Sequence, residues 1–299
     1  MKGLWSTAVA GLLLGVSVSH GATSGAAEPR PVHVNYAGRA SPGAPALRSN
    51  AAFVLDATNA SVLYSRRSAV AVPIASITKL MTAIVVIESG QPLDEQIEIT
   101  REDQHLRRSP GSRLTAGSTL SRGDLLHLAL MSSENHAAHA LGRTFPGGLE
   151  RCVEAMNAKA RELGMTNAHF VEPTGLSGEN VASPEDLSKL VMAAAKVPEI
   201  RDYSTDTYYE VSAGRRSLTF RNTDSLVRNP DWKIEVQKTG YIPRAGRCLV
   251  LQTVIEDRTV VIVLLNSFGK RTRVADARRI RKWMESTLPV REASTATST

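Results

Sequence analysis

Strand-type periodicity at both ends of the chain, with helix-type periodicity between them, is the feature that most narrows the possible folds. Ala51–Leu55 and Ser61–Tyr64 are short apolar runs on either side of the polar turn 56–60, the pattern of a β-hairpin. Near the other end, Lys233–Gln237, Cys248–Ile255 and Thr259–Leu265 read as three further strands, the last two joined at Glu256–Arg258. Between them, Ile77, Leu80, Met81, Ile84, Val85 and Ile87 recur at three- and four-residue intervals and stop at Gly90. This pattern predicts a buried helix that begins at Ser76. Further helices are predicted over Arg122–Met131, His136–Arg143, Leu149–Leu163, Pro184–Ala195 and Val274–Met284, and Ser183 before Pro184 is a good N-terminus. The expected fold class is α+β: an antiparallel sheet formed from both chain ends and flanked by helices, with a mostly helical region inserted between the strands.

Met1-Lys2, the apolar stretch Leu4–Val18 and the small residues up to Ala27 follow the order of a secretory signal. The apolar run is broken by Gly and Ser and falls short of the roughly 20 residues that span a bilayer. Residues 1–26 are therefore expected to be a cleaved signal, giving a periplasmic protein with no stable membrane anchor. Pro29, Pro31, Pro42 and Pro45 make 27–48 an extended lead-in, 49–289 the folded domain and the Ser/Thr-rich 290–299 a disordered tail.

The chain carries a net charge of +7, of which the signal removes only Lys2. A basic exported protein suits an acidic polymer or a membrane surface, although plain solubility explains the charge equally well. No zinc-finger, RNP or helix-turn-helix pattern is present, so nucleic acid is not expected as a partner. Cys152 and Cys248 are too few for a disulfide framework. Two separately buried small hydrophobes are expected, with a single bridge as the alternative. His136 and His139 lie one turn apart near His127, but without a His-Glu-x-x-His arrangement no metal or other cofactor is expected, and they read as solvent-facing.

Ser76-Ile-Thr-Lys79 places a hydroxyl and an amine at i and i+3 on one helix face. An amine acts as a base only when neutral, and burial against an apolar helix face lowers a lysine pKa enough to allow that. Alone the pattern is weak, since Ser267-Phe-Gly-Lys270 matches it too and is taken as chance. Its weight comes from two further triplets in order, Ser133-Glu-Asn135 after a helix break and Lys238-Thr-Gly240 at the end of a strand. In isolation, Ser133 and Asn135 would be read as caps of the following helix.

These three motifs together resemble those of the penicillin-binding proteins and serine β-lactamases. With Pro73–Thr82, Leu130–Asn135, Phe170–Leu176 and Gln237–Tyr241, the resemblance runs from Ser49 to Leu288. It is strongest to the low-molecular-mass penicillin-binding proteins that are D-alanyl-D-alanine endopeptidases, the penicillin-binding protein 7 type. The resemblance implies a β-lactamase/transpeptidase-like fold and a serine peptidase that cuts peptidoglycan peptide cross-links and is acylated by β-lactam antibiotics. It implies Ser76 as nucleophile, Lys79 as its base, and Ser133 with Lys238 as the proton path to the leaving amine. Asn135 would bond the substrate amide, and Thr239 the carboxylate beyond the scissile bond. Gly240 would admit the substrate as an added strand, and the N–H groups of Ser76 and Tyr241 would form the oxyanion hole.

Two rival functions share this motif set, a β-lactamase and a non-catalytic wall or antibiotic sensor. Glu172 sits where class A β-lactamases place a deacylating Glu, but position 176 is Leu rather than the companion Asn. Within the peptidases, carboxypeptidase relatives often carry an extra β-rich domain and a C-terminal anchor, for which the roughly fifteen residues after Met284 are too few. Such relatives also tend to have an Arg for the terminal carboxylate, at a place aligned here with Phe268, although Lys270 or Arg271 could reach it. Endopeptidase action is therefore expected over carboxypeptidase action.

Overall fold

The chain folds around one antiparallel sheet whose two faces are both covered, which explains why its inner strands are almost continuously apolar. The computed structural model describes residues 43–104, 112–213 and 216–287. The expected signal at 1–26, the first part of the lead-in and the tail at 290–299 lie outside these. In chain order the elements begin with β1 (Ser49–Asp56), β2 (Ser61–Arg66), β3 (Val72–Pro73), a 3-10 turn at Ala75–Ile77 and α1 (Thr78–Glu88). Next come β4 (Gln96–Glu98), α2 (Arg101–Gln104), β5 (Thr119–Ser121), α3 (Arg122–Met131), α4 (Asn135–Arg143), α5 (Gly148–Glu162) and β6 (Val181–Ala182). Then follow α6 (Pro184–Ala194), α7 (Pro198–Thr205), β7 (Tyr208–Ala213) and β8 (Arg216–Arg221). The long strands β9 (Lys233–Ile242), β10 (Gly246–Ile255) and β11 (Arg258–Ser267) lead into the closing helix α8 (Thr272–Thr287).

The main sheet has the order β2-β1-β11-β10-β9, every neighbour antiparallel, so the first strand pairs directly with the last. Alternation along each strand assigns its side chains to two cores. Phe53, Val250, Val261 and Val263 face the helical region, where Leu80, Leu125 and Leu190 join them. Val54, Leu251, Ile262 and Leu264 face α8 and pack with Ile280, Trp283 and Met284. Leu47, in the lead-in, is already buried in this second core. The β10–β11 hairpin turns through Glu256 and Asp257, both at positive φ (47° and 54°), as a tight two-residue hairpin demands.

The inserted region is less uniformly helical than its sequence pattern. A hairpin of β7 and β8, the short helix α7 and the small ladders β3-β6 and β4-β5 interrupt it. These pieces are short, and β7 alternates mostly exposed positions, which leaves little apolar periodicity to read. The three histidines differ from expectation outright, because all are buried. His136 Nδ1 lies 2.9 Å from the Leu114 carbonyl, and His139 Nδ1 lies 2.7 Å from buried Asp103, which Arg143 also pairs. His127 stacks against Tyr203 and Tyr209. Each ring thus fills core space while its polar edge finds a local partner. Cys152 and Cys248 are free and buried in separate elements.

Candidate active site

Ser76 does not open the α-helix; it lies in the 3-10 turn just before it, after Ala75 at φ 50°. A non-glycine residue in the left-handed region persists only where its surroundings hold it there. Here Thr78 Oγ1 donates to the Ala75 carbonyl (2.8 Å), and the Ile74 N–H donates to the Asn180 carbonyl (3.1 Å). Ser76 faces a cavity of about 1080 Å³ that Ser133, Asn135, Thr239 and Tyr241 also line.

Lys79 lies one turn on, 1% exposed, with three acceptors around Nζ: Ser76 Oγ at 3.2 Å, Asn135 Oδ1 at 2.8 Å and the Thr174 carbonyl at 2.6 Å. An ammonium has three N–H groups, so the charged form satisfies all three contacts. After losing one proton, the amine can still donate to Asn135 and Thr174. Its lone pair then points at the remaining neighbour, the Ser76 hydroxyl. Burial pushes the Lys79 pKa down to about 8, against the opposing charges of Glu172 and then Glu134. The Ser76 turn and the buried face of α1 therefore hold a hydroxyl next to an amine that is readily neutral.

Ser133 and Asn135 do not cap α4. Glu134 between them does, its carboxylate accepting from the Ala137 N–H at 2.7 Å. Glu134 also accepts from the Ser112 hydroxyl. With Glu134 as the cap, Ser133 is held at φ 63° and lines the cavity, while Asn135 starts the helix beside Lys79.

Lys238, Thr239 and Gly240 lie inside β9, not at its end, since the strand runs on to Ile242. β9 is an edge strand of the sheet. A Cβ built on Gly240 would sit 3.0 Å from Ala75 Cβ and 3.1 Å from Ser76 N, so glycine lets β9 approach the Ser76 turn. Lys238 is fully buried, with Nζ 3.1 Å from the Thr239 carbonyl. Burial, then the nearby cations Lys79 and Arg273, hold its pKa well below the ordinary lysine value, with Asp224 opposing. Thr239 shares a 2.6 Å hydroxyl contact with Thr223, which also lines the cavity. Tyr241 is 53% exposed, with the Arg247 guanidinium 4.5 Å from its ring centre.

Two expectations about the cavity's neighbours have different outcomes. The second Ser-x-x-Lys serine, Ser267, ends β11 and bonds Ser49 Oγ at 2.7 Å, away from the cavity lining. Phe268, the position aligned with the carboxylate-pairing Arg, does not line the cavity. Phe268 is 74% exposed, whereas Arg273 from the first turn of α8 lines the cavity and donates to the Gly240 and Cys248 carbonyls (2.9 and 3.0 Å). Sequence reasoning missed Arg273 because α8 starts two residues before its predicted start and contains several other arginines; Thr223 lies in a loop with no motif.

The chain matches the D-alanyl-D-alanine carboxypeptidase family over residues 39–269. It is 47% identical over 242 residues to a D-alanyl-D-alanine endopeptidase of Pseudomonas aeruginosa, covering 80% of this chain and 78% of that protein. It is 44% identical over 244 residues to the D-alanyl-D-alanine endopeptidase of Escherichia coli, covering 81% and 79% respectively. Among solved structures, the Streptomyces K15 DD-transpeptidase superposes with a TM-score of 0.75 at 25% identity, covering 80% of this chain and 97% of that one. A D-alanyl-D-alanine carboxypeptidase from Mycobacterium tuberculosis also matches at 0.75 and 25%, with coverages of 82% and 94%.

Proposed function

The chain belongs to the D-alanyl-D-alanine carboxypeptidase family and is a serine-type peptidoglycan DD-peptidase, and we propose that it works as an endopeptidase on peptide cross-links through an acyl-enzyme on Ser76. The observation that carries the chemistry is the environment of Lys79: two fixed acceptors for its N–H groups and the Ser76 hydroxyl as third neighbour.

In this reading Lys79 takes the Ser76 proton as Oγ attacks the D-Ala carbonyl. The developing oxyanion is met by the N–H groups of Ser76 and Tyr241, a role supported by the close approach of β9 to the Ser76 turn at Gly240. Ser133 passes a proton to the leaving amine, with Lys238 holding a second buried amine beside the site. Asn135 orients the substrate amide, and Thr239 meets the carboxylate side of the leaving group. Water then releases the acyl group. Penicillin acylates the same serine and leaves an ester that hydrolyses slowly. Glu172 accepts hydrogen bonds from five donors of its own loop and does not line the cavity, which disfavours the β-lactamase reading.

Endopeptidase action is supported by the names of the 47% and 44% identical relatives, whereas relatives near 27% identity are named carboxypeptidases. Carboxypeptidase action is the second reading, and Arg273 favours it, since a guanidinium at the cavity suits a free terminal carboxylate. Export to the periplasm through the signal at 1–26 fits such a substrate. The test is to incubate the protein with cross-linked dimeric muropeptides and, separately, with a monomeric pentapeptide. Release of monomers is expected; efficient D-Ala release with intact dimers would replace the endopeptidase reading by the carboxypeptidase one.

A further inference from the structure

We infer that Glu172 is a positioning residue for Lys79: it fixes the loop carbonyl that holds the amine against Ser76 and supplies a negative charge behind that amine. The inference rests on the reading of Lys79 as the base.

The loop from 171 to 180 has no regular secondary structure apart from the single bridge at its edge, yet it forms one wall of the Lys79 pocket. Its backbone donors converge on one carboxylate. Glu172 Oε2 accepts from Thr174 N and Oγ1 (2.7 and 2.5 Å), and Oε1 accepts from Gly175 N, Ser177 N and Asn180 Nδ2 (2.7, 3.2 and 2.8 Å). A carboxylate offers about four lone-pair sites, so five donors saturate it. The carboxylate therefore acts as the hub that folds residues 174–177 around itself.

From that hub the loop is tied to the buried face of α1 at consecutive points. Thr82 Oγ1 donates to the Pro173 carbonyl (2.8 Å), and Lys79 Nζ donates to the Thr174 carbonyl (2.6 Å). Gly175 packs so closely on the Ser76 turn that a Cβ there would fall 2.1 Å from the Ala75 oxygen. Asn180, fully buried, spans the two segments: its Nδ2 donates to Thr78 Oγ1 (3.1 Å), and its Oδ1 accepts from Val171 N (2.7 Å). None of this machinery lines the cavity except through Leu176 and Gly178, so Glu172 acts through Lys79 and not on substrate.

The charged groups that face Lys79 are Glu172 from this loop, Glu134 from the α3–α4 connection and Lys238 from β9. Glu172 is the larger of the two anionic influences that oppose desolvation. Neutralising it removes both the hub and the charge, and the two losses have separable signatures. The loss of geometry lowers the maximal acylation rate, while the loss of charge moves the pH at which Lys79 deprotonates.

The experiment measures the rate of acylation by a fluorescent penicillin against pH, together with the titration of 13Cε-labelled lysine by NMR, which reads the amine without reference to catalysis. For Glu172→Gln, a plateau reduced about tenfold or more and a Lys79 midpoint lowered by about one pH unit are expected. For Asn180→Ala, which loosens the loop but keeps the charge, a reduced plateau with the wild-type midpoint is expected. Glu172→Asp serves if the Gln variant melts before assay temperature; it should lose plateau and keep the midpoint. A Glu172→Gln midpoint equal to wild type, or Glu172→Asp acylating as wild type does, would overturn the inference. Lys79→Arg in the same assay tests the base assignment separately, because normal acylation by that variant removes the base reading whatever Glu172 does to the midpoint.

Discussion

Adding one methyl group at Gly175 probes the contact on which the site geometry depends. Gly175 has φ +80°, and a Cβ there would lie 2.1 Å from the Ala75 carbonyl oxygen, 2.4 Å from its carbon and 2.8 Å from Ser76 N. All three neighbours are backbone atoms, so no side chain can rotate away. Restoring an acceptable separation of about 3 Å requires the loop and the Ser76 turn to part by about 1 Å, a misplacement that can cost on the order of 100-fold in rate. The same shift would stretch the 2.6 Å contact from Lys79 Nζ to the Thr174 carbonyl beyond hydrogen-bonding range. The left-handed backbone adds about 1–2 kcal/mol of strain for an L-residue. Gly175→Ala should therefore lose about 100-fold in penicillin acylation and also melt earlier. Gly164→Ala is the control, because Gly164 shares a positive φ (+67°) but its Cβ would meet only Lys189 Nζ at 4.0 Å. That variant should pay the backbone cost and acylate normally. Acylation by Gly175→Ala within threefold of wild type would refute the argument that this contact sets the site.

Three further outcomes are expected. Lys79→Arg should fold, by circular dichroism, yet acylate at least 100-fold more slowly, since Arg stays protonated and cannot accept the Ser76 proton. Acylation of the wild type should rise with pH through about 8 as Lys79 becomes neutral; at pH 6 only about 1% of the amine is neutral, so a rate that is flat from pH 6 to 9 would contradict the base assignment. Burial works to raise the Asp103 carboxyl, but His139, Arg143 and the Thr100 N–H outweigh it and hold its pKa below the ordinary range. Its stabilisation is therefore present above the unfolded carboxyl value and fades as pH falls through the folded one, so Asp103→Asn should cost about 3 kcal/mol at pH 7 and much less in acid, read by thermal melts at both pH values.

Legibility in the sequence followed the strength of the local signals. Helix α3 was readable to both ends because Ser121 and Asp124 form a capping box before its apolar run. The sheet was readable because β10 and β11 are buried on both faces and so leave long apolar runs. The β7–β8 hairpin and α7 were not, since their exposed alternation and short length produce no window of apolar periodicity. In the site, Ser76, Lys79, Ser133, Asn135, Lys238, Thr239, Gly240 and Tyr241 all lie at or beside one cavity, as their motifs suggested. The burial of His136 and His139 was hidden because helix periodicity cannot tell a solvated histidine from one packed against a distant partner, here the Leu114 carbonyl and Asp103. Arg273 was hidden for a related reason. Its approach to Gly240 and Cys248 crosses from α8 to the sheet, a long-range contact that no local pattern encodes.

Mapping the penicillin adduct by intact-mass and peptide analysis decides whether Ser76 is the nucleophile. One adduct is expected on the peptide that carries Ser76, absent from Ser76→Ala. Labelling that persists in Ser76→Ala, or that maps to Ser267, would contradict it.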